Sequence, residues 1–372
     1  MTAYRFLEPL DVLFLRGNKL FGDPGSYGES LVPPWPSVAA GAIRSRMMAE
    51  AGIDFAAFRD GAEATPELGS LEQPGPFRVT GFWLARRYTD GRVETLHPLP
   101  ADLVATQCDN GLQLHRLQPV APAPGLESSA ALPKVATLAT NTQAKPATGL
   151  WLTESGWRAY LEGRLPAADQ LIEPGRLWST DLRVGVGLDP AERRADEGKL
   201  FSMQAVALQP GLGFVAAVTG AEAPAAGLVR LGGDGRGAAI HKVEAAPPLP
   251  DLDAICDARR CLIVLTSPGL FPDGWRLPGC DDEQRFALGG VTGRLVCAAV
   301  PRAETVSGWD LARWQPKSAQ RAAPAGSVYW LEELEATSQL LDKLAENGLW
   351  PEQGYDAQRR AEGFNRFTFA IY

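Results

Sequence analysis

Glycine-rich loops that each carry a basic residue are the segments of this chain best suited to do chemistry. They are RGNK (16–19), LGGDGRG (231–237), LGGVTGR (288–294) and GFNR (363–366), and QPKSAQR (315–321) adds further cations. Glycine exposes backbone N–H groups, and an adjacent arginine or lysine completes an anion site. These loops therefore predict one groove for a phosphate backbone; ordinary turns with solvated arginines are the alternative. The candidate contacts outside the first two loops are Arg294, Lys317 and Arg321.

Histidine and cysteine are too sparse to suggest a metal site or a hydrolase. The three histidines are His97, His115 and His241, and none has a Cys or His at metal-ligand spacing. The motifs GxSxG, HExxH, CxxC and GxxxxGK[ST] are all absent from the sequence. We therefore expect no metal, no cofactor and no catalytic residue, and we expect His97 to be structural.

His241 leaves one catalytic alternative open. It follows the second glycine loop, within the strand-like segment AAIHKVEA. A metal-independent ribonuclease needs a general base and an acid with a pKa near 7, and histidine is the side chain closest to that value. Because a partner acid cannot be recognised in the sequence, we assign His241 to RNA contact rather than to catalysis.

The composition is that of a globular protein with an unusual set of positive charges. The chain has 372 residues, 45% of them hydrophobic, and a formal net charge of −8. Length alone suggests about two domains. Arginine greatly outnumbers lysine, which suits phosphate recognition, although codon bias in a GC-rich genome would give the same excess. The five scattered cysteines indicate a reducing compartment, and no apolar run is long enough for a membrane span, so we expect a cytoplasmic protein.

Hydrophobic periodicity outlines strands with a few helices. A period of two predicts a strand over 4–15, and Ser37 and Gly52 are expected to cap a helix between them. Segment 199–220 reads as a hairpin that turns at Gln209–Gly213. A helix is expected to use Leu334, Thr337, Leu341 and Leu344. The Pro-rich stretch 246–253 reads as a linker, so the sequence predicts an α+β protein in two halves.

Several segments together resemble a known family. The run FLEPLDVLFLRGNKLFG followed by SLVPPWPSVAAGAIRSRM is the most specific. Further matches in the same order are LHPLPADLV (96–104), DLRVGVGLDPAERRADEGKLFSM (181–203), RLGGDGR (230–236) and APAGSVYWLE (323–332). The chain thereby resembles the RAMP superfamily of CRISPR-associated proteins. Within it, the similarity is to the subunit that caps the crRNA 5′ tag in type III-B (Cmr) effector complexes.

This resemblance implies a fold and a role. The fold would be two tandem ferredoxin-like (RRM-like) domains, the second degenerate. The first would span 1–246 with an insertion at about 106–180, and the second 253–372. The protein would bind the crRNA 5′ tag without catalysis, between a large polymerase-like subunit and the backbone RAMP subunit. It would meet target RNA only indirectly and would have no membrane partner.

The resemblance also assigns RNA contacts to particular positions. They are Arg16, Gly17, Asn18 and Lys19 after the first strand; Ser37, Arg44 and Arg46 on the helix; Lys145; and Gly232, Gly233, Gly235 and Arg236 in the glycine loop. One departure concerns the last loop, where relatives read GFG and this chain reads GFN at Gly363–Asn365. Asparagine tolerates positive φ, so we expect the turn to persist. Trp35, Trp83, Tyr27 and Phe21 are candidates for stacking on bases, and core packing is the alternative for each.

Three functional hypotheses follow from these observations. The first is the tag-binding subunit, which would use phosphate contacts and stacking on splayed bases. The second is an endoribonuclease that matures precursor crRNA through His241. The third is a nucleotide-binding scaffold unrelated to RNA, for which saturable nucleotide binding without competition by RNA would be the evidence.

Overall fold

The structure is a computed structural model. It describes residues 2–17, 27–71, 73–108, 111–125, 131–140, 145–189, 191–310 and 313–372, with only the backbone for Tyr27, Cys108, Glu197 and Gly198. Among these residues, no helix combines the length and the apolarity that crossing a bilayer requires.

The first part of the chain is mostly strand. In order, its strands are β1 (Ala3–Pro9), β2 (Tyr27–Gly28), β3 (Arg78–Arg87), β4 (Val93–Pro98), β5 (Leu103–Cys108), β6 (Gly111–Arg116), β7 (Gln118–Val120), β8 (Val135–Thr137), β9 (Pro146–Ala147), β10 (Trp151–Leu152), β11 (Leu171–Ile172), β12 (Trp178–Asp189), β13 (Arg194–Leu208), β14 (Leu212–Thr219), β15 (Ala226–Arg230) and β16 (Gly237–Val243). Its α-helices are α1 (Pro36–Glu50), α2 (Phe55–Arg59) and α3 (Glu154–Leu161). This content confirms a mixed α and β protein in which sheets predominate.

The second part follows the linker and is shorter. Its elements are α4 (Leu252–Ala258), β17 (Cys261–Leu265), β18 (Arg285–Leu288), β19 (Val291–Ala299), β20 (Glu304–Val306), β21 (Trp309–Asp310), β22 (Gln315–Pro316), β23 (Gln320–Ala322), β24 (Val328–Glu335), α5 (Ser338–Asn347), α6 (Ala357–Glu362) and β25 (Phe367–Ala370).

Both parts contain a sheet with the same internal strand order. The first sheet runs β11-β10-β4-β3-β14-β1-β16-β15. Here β1 lies between β14 and β16 and is antiparallel to both, and β14 pairs with β3. The second sheet runs β18-β19-β24-β17-β25, with β17 between β24 and β25. In each sheet, the first strand of the part is therefore central and its partners arrive later in the chain.

The buried cores join these sheets to their neighbours. One core packs α1 residues such as Ile43 against Leu7, Phe214 and Ile240 of the first sheet. Another joins Tyr160 of α3 to Trp330 of β24, so the segment inserted between β4 and β12 packs on the second sheet. Burial of these large side chains from water is the main stabilising contribution.

The hairpin predicted over 199–220 is wrong in its pairing. Strand β13 pairs with β12 along most of its length, whereas β14 enters the first sheet between β1 and β3. Residues 209–211 are thus a corner between two sheets. The reason is burial: every residue of β14 except Thr219 is buried, and only the centre of the large sheet can cover both faces of such a strand.

Two predicted helix boundaries are also wrong. Helix α1 begins at Pro36 with Trp35 as its cap residue, so Ser37 is the second helical residue rather than the cap. Proline suits the first helical position because its φ is preset and its missing N–H needs no partner. Leu334 lies in β24 rather than in the next helix, which begins at Ser338 after the Thr337 cap.

Candidate functional site

The segment after β1 is held in place on two sides by backbone hydrogen bonds. Leu13 and Val206 of β13 exchange backbone bonds of 2.8 and 2.9 Å. The amide of Leu31 donates to the Leu15 carbonyl at 2.7 Å, and Arg16 forms a bridge with Ser30. The buried side chains of this segment anchor it, and the exposed Arg16 side chain stands at its surface.

The glycine loop is the tight turn that joins β15 to β16. Gly232, Asp234 and Gly235 have φ values of +81°, +56° and +64°. Such values favour glycine, since a Cβ meets the backbone in the left-handed region. The amide of Gly233 donates to the Phe14 carbonyl at 2.8 Å, and a Cβ on Gly232 would lie 2.6 Å from the same oxygen. The turn therefore contacts the segment after β1 at a distance that only glycine permits.

This contact brings two predicted arginines to one surface. Arg16 Nη2 lies 3.3 Å from Asp234 Oδ1, and Arg236 Nη1 lies 3.0 Å from Asp11 Oδ2. The Arg236 guanidinium also lies over the Phe14 ring, 4.8 Å from its centroid. Each arginine is thus paired with an aspartate of the opposite loop. Sequence reasoning missed both aspartates, although each lies within six residues of its loop's basic residue.

Backbone N–H groups are free at the same place. Among the described residues, no hydrogen bond uses the amides of Gly232, Asp234 and Gly235. Unused amides beside guanidinium groups are what an anion needs in order to bind. We call this surface, formed by residues 10–17 and 231–237, the loop pair.

The three predicted contacts on α1 point in different directions. Arg46 reaches β15, where its Nη2 lies 3.0 Å from the position that a Cβ on Gly227 would occupy, and it pairs with Glu50 at 2.8 Å. Arg44 turns toward the second half and donates to Gln358 Oε1 at 3.4 Å. Burial lowers the pKa of Arg44. Ser37 is half-buried at the start of the helix.

His241 lies on β16, directly opposite Phe6 of β1. Its Nε2 is 3.4 Å from Glu8 Oε2, and the same carboxylate oxygen lies 2.6 Å from Arg87 Nη2. The side chain is partly exposed, but Nε2 itself is buried and makes no hydrogen bond among the described residues. A carboxylate beside the ring is one part of what a general base needs.

The remaining candidates do not join the loop pair. Arg294 on β19 faces Glu333 at 3.9 Å, and Lys317 Nζ lies 2.6 Å from Glu362 Oε1. Arg321 is exposed on β23, opposite Thr305. Lys145 is exposed just before β9 in the inserted segment. Asn18, Lys19 and Phe21 lie outside the described residues, as does the Tyr27 side chain.

The GFNR segment packs between the two halves, with Gly363, Phe364 and Asn365 buried and Arg366 half-buried. Arg366 donates to the carbonyls of Thr80, Glu346 and Ala345 at 3.1, 2.7 and 2.7 Å, and burial lowers its pKa to about 10. The Asn365 amide accepts from Leu270 N at 2.6 Å and donates to the Leu349 carbonyl at 2.9 Å. The expected turn persists, with φ +58° at Asn365. Its side chains are committed to protein contacts.

The aromatic and histidine candidates beside strands are packed against protein. Trp35 is buried and its indole donates to Glu304 Oε2 at 3.2 Å, while Trp83 lies over Gly81. His97 is buried and stacks on Trp157 with 4.3 Å between ring centroids, and burial lowers its pKa to about 3. Within the described ranges, no three His, Cys, Asp or Glu side chains are grouped so as to hold a metal ion.

Comparison with known proteins gives a family and a fold. Residues 5–367 match the family model described as CRISPR-associated protein (Cas_Cmr3), which confirms the resemblance seen in the sequence. No curated protein sequence matches the chain. One similar solved structure is the type III-B Cmr-beta bound to cognate target RNA and AMPPnP, with TM-score 0.51, 15% identity, and coverage of 98% of this chain and 93% of that chain. A second, Cmr-beta bound to cognate target RNA, has the same score and identity and covers 98% and 96%.

Proposed function

Because the chain belongs to the CRISPR-associated Cas_Cmr3 family, we propose that it is a non-catalytic crRNA-binding subunit of a type III-B (Cmr) effector complex. In this role it caps the 5′ repeat-derived tag of the crRNA. Its protein partners are the large polymerase-like subunit and the backbone RAMP subunit. The observation that carries the proposal is the loop pair, where Arg16 and Arg236 flank unused backbone amides.

The strand order supports the fold that goes with this role. A ferredoxin-like βαββαβ unit has sheet order 4-1-3-2, and β16-β1-β14-β3 follows it with α1 after the first strand. In the second sheet, β25-β17-β24-β19 follows the same order with α5 and α6 before the last strand. We assign the two sheets to tandem ferredoxin-like domains. Among the described residues, each domain has no helix in one of its two crossover connections. In the first domain this is the connection from β14 to β16, and in the second it is the connection from β17 to β19.

Phosphate binding at the loop pair follows from its charges. Arginine binds phosphate through paired N–H groups. The amides of Gly232, Asp234 and Gly235 add donors that need not break a protein hydrogen bond in order to bind phosphate. Without RNA, Arg16 and Arg236 form ion pairs with Asp234 and Asp11. A phosphate that binds these arginines must therefore replace the carboxylates. Exposed ion pairs of this kind are weak, about 0–1 kcal/mol, so the exchange is inexpensive.

Salt-dependent binding tests the assignment of the loop pair. We expect the double variant Arg16→Ala with Arg236→Ala to bind tag RNA more weakly, within its co-expressed complex. Each lost phosphate contact should flatten the plot of log affinity against log salt by about 0.7 for single-stranded RNA, because fewer counterions are released. Arg59→Ala is the matched control, since Arg59 is paired with Asp60 at 2.7 Å on an exposed helix. An unchanged salt slope in the double variant would remove the loop pair from the site.

Crosslinking to a crRNA that carries its 5′ tag tests the role itself. Crosslinks from tag nucleotides to peptides in 16–46 or 230–241, with the RNA intact, are the expected result. Crosslinks confined to the guide region would contradict tag capping. Adding Lys19→Ala to Arg16→Ala extends the test to the part of the first loop outside the described residues.

A ribonuclease is the second candidate, favoured by the Arg87–Glu8–His241 contacts. If His241 is a general base, the wild-type complex should cleave precursor crRNA without added metal, and His241→Ala should abolish that cleavage. Glu8→Gln should then reduce the rate, because the ring loses its orienting carboxylate. Intact precursor RNA after incubation with the wild type excludes this candidate and leaves the capping role standing.

A further inference from the structure

A second exposed feature lies in the other half of the molecule, far along the chain from the loop pair. Strands β20 and β23 pair through Thr305 and Arg321, and β21 and β22 pair through Trp309 and Pro316. The Lys317 amide donates to the Gly308 carbonyl at 2.8 Å and connects the two ladders. We call residues 302–310 and 313–321 the arm. Its two segments run antiparallel through both ladders, and the second ladder carries two tryptophans.

The two tryptophans are unusually exposed for their size. Trp309 is 47% exposed and Trp314 is 74% exposed, and their rings meet edge to face with centroids 5.9 Å apart. Trp314 also has φ +53°, a conformation that bulky side chains disfavour. A large apolar ring held outward in a strained backbone conformation suggests a binding role.

The charges around this pair are mostly positive. Arg302, Arg313 and Arg321 are exposed, and Arg313 lies 3.3 Å from Asp310. The arm's other acid, Glu304, is turned inward and accepts from the Trp35 indole at 3.2 Å. The exposed side of the arm therefore carries excess positive charge, in a chain whose net charge is −8.

An open cleft lies where the arm joins the second sheet. Its volume is about 530 Å³, its walls are largely apolar, and its cations are Arg321 and Lys134. Trp275 lines it as well, and the Trp275 carbonyl accepts from the Tyr329 hydroxyl at 2.7 Å. Thr305 and Trp309 are four residues apart, so they lie at most about 14 Å from each other. The cleft and the tryptophan pair are therefore neighbouring features of the arm.

We propose that the arm binds unpaired RNA, with Trp309 and Trp314 stacking on bases and Arg313 and Arg321 contacting phosphates. The inference rests on the proposed function, in that the protein binds RNA within its complex, but it adds a site separate from the tag-binding loop pair. Exposed aromatics among cations are the usual platform for single strands, since every base has a face to stack. A protein partner for the same pair would not need the excess of arginine.

Stacking predicts a specific loss of affinity. We expect Trp309→Ala with Trp314→Ala to weaken binding of a short uridine oligonucleotide by about tenfold or more, since one stacked base contributes about 1–3 kcal/mol. Trp309→Phe with Trp314→Phe should retain much of the affinity, because an aromatic face remains. Phe55→Ala is the control, because Phe55 is a comparably exposed aromatic on α2. A duplex of the same length should be unaffected by any of these variants.

The measurement is fluorescence titration of the full-length chain in its co-expressed complex, with photocrosslinking by thiouridine-substituted RNA. Crosslinks to 313–321 that disappear in the double alanine variant are the expected result. Unchanged oligonucleotide affinity in that variant overturns the proposal. So does loss of subunit assembly with unchanged RNA affinity per assembled complex, which would mark the arm as a protein interface. Because tag RNA is measured separately on the Arg16→Ala and Arg236→Ala variant, failure of either site is distinguishable from failure of the other.

Discussion

The glycine turn at 231–237 and the GFNR segment at 363–366 have similar sequences and opposite environments. Each combines glycine in the left-handed region with a following arginine. In the first, Arg236 is partly exposed and reaches the exposed Asp11 carboxylate and the buried Phe14 ring. In the second, Arg366 is half-buried and donates to three backbone carbonyls, one of them from the first sheet.

The difference shows that glycine beside arginine does not by itself define an anion site. A Cβ on Gly363 would lie 2.8 Å from the Val79 carbonyl oxygen, so the segment contacts the other half as closely as a strand does. The glycine turn makes an equally close contact on one side, at Phe14, and leaves its other side open. The neighbouring elements decide whether the donors face protein or solvent.

The largest expected effect comes from removing Arg366, whose guanidinium is held by three carbonyls. Arg366→Ala leaves the carbonyls of Thr80, Glu346 and Ala345 without their charged donor, and we expect the free energy of unfolding to fall by about 3 kcal/mol or more. Arg236→Ala should lower it by about 1 kcal/mol or less, because its ion pair is at the surface. Urea unfolding of both variants measures the contrast. Equal losses of unfolding free energy would show that the two arginines contribute equally to stability, against this prediction.

Asn365 tests the same contrast at the neighbouring position. Asn365→Gly keeps the φ of +58° but removes the bonds to Leu270 and Leu349, so we expect a loss of about 2 kcal/mol. Asn365→Ala should lose about 1 kcal/mol more, because alanine disfavours that φ. Thermal or urea unfolding resolves the order of the two variants. Alanine as stable as glycine would contradict the backbone part of this account.

Gly232 tests the close approach on the loop-pair side. Gly232→Ala places a Cβ 2.6 Å from the Phe14 carbonyl oxygen, so the turn must move away from that segment. We expect a loss of stability of about 1–2 kcal/mol and weaker tag RNA binding. Gly235→Ala is the control, since Gly235 also has positive φ but has no heavy atom within 4 Å of the Cβ position. Equal affinity of the two variants for tag RNA would show that the close contact with Phe14 is not needed for RNA recognition.

The smallest effect is expected from removing a countercharge at the loop pair. Asp234→Asn keeps the side-chain shape and tolerates the φ of +56°, but it removes the negative charge that pairs with Arg16 across the loop pair. We expect stability to change little and RNA affinity to rise by about threefold, in line with the strength of an exposed ion pair. Filter binding at low salt detects the increase. Unchanged affinity would show that phosphate does not compete for Arg16.

The sequence was informative wherever local pattern and environment agreed. A strand forms within the segment 4–15 as β1, and a helix forms between Trp35 and Gly52 as α1. The prediction from sequence was wrong for β14, which pairs with β1 and β3 rather than with β13. The periodicity of a strand predicts that it is a strand but does not identify its pairing partners. Among the candidate residues, the sequence placed Arg16 and Arg236 in glycine loops but could not show which loops meet.

The sequence by itself determined the class of the protein, the family to which it belongs, and the glycines that allow tight turns, because these depend on residue types and their spacing. Only the tertiary structure decided that Arg236 lies at the surface over Phe14 while Arg366 lies between the halves. The same holds for Trp309 and Trp314, which are exposed although tryptophan is highly buried on average. Burial is set by what the rest of the chain places alongside a residue, and no local pattern contains that information.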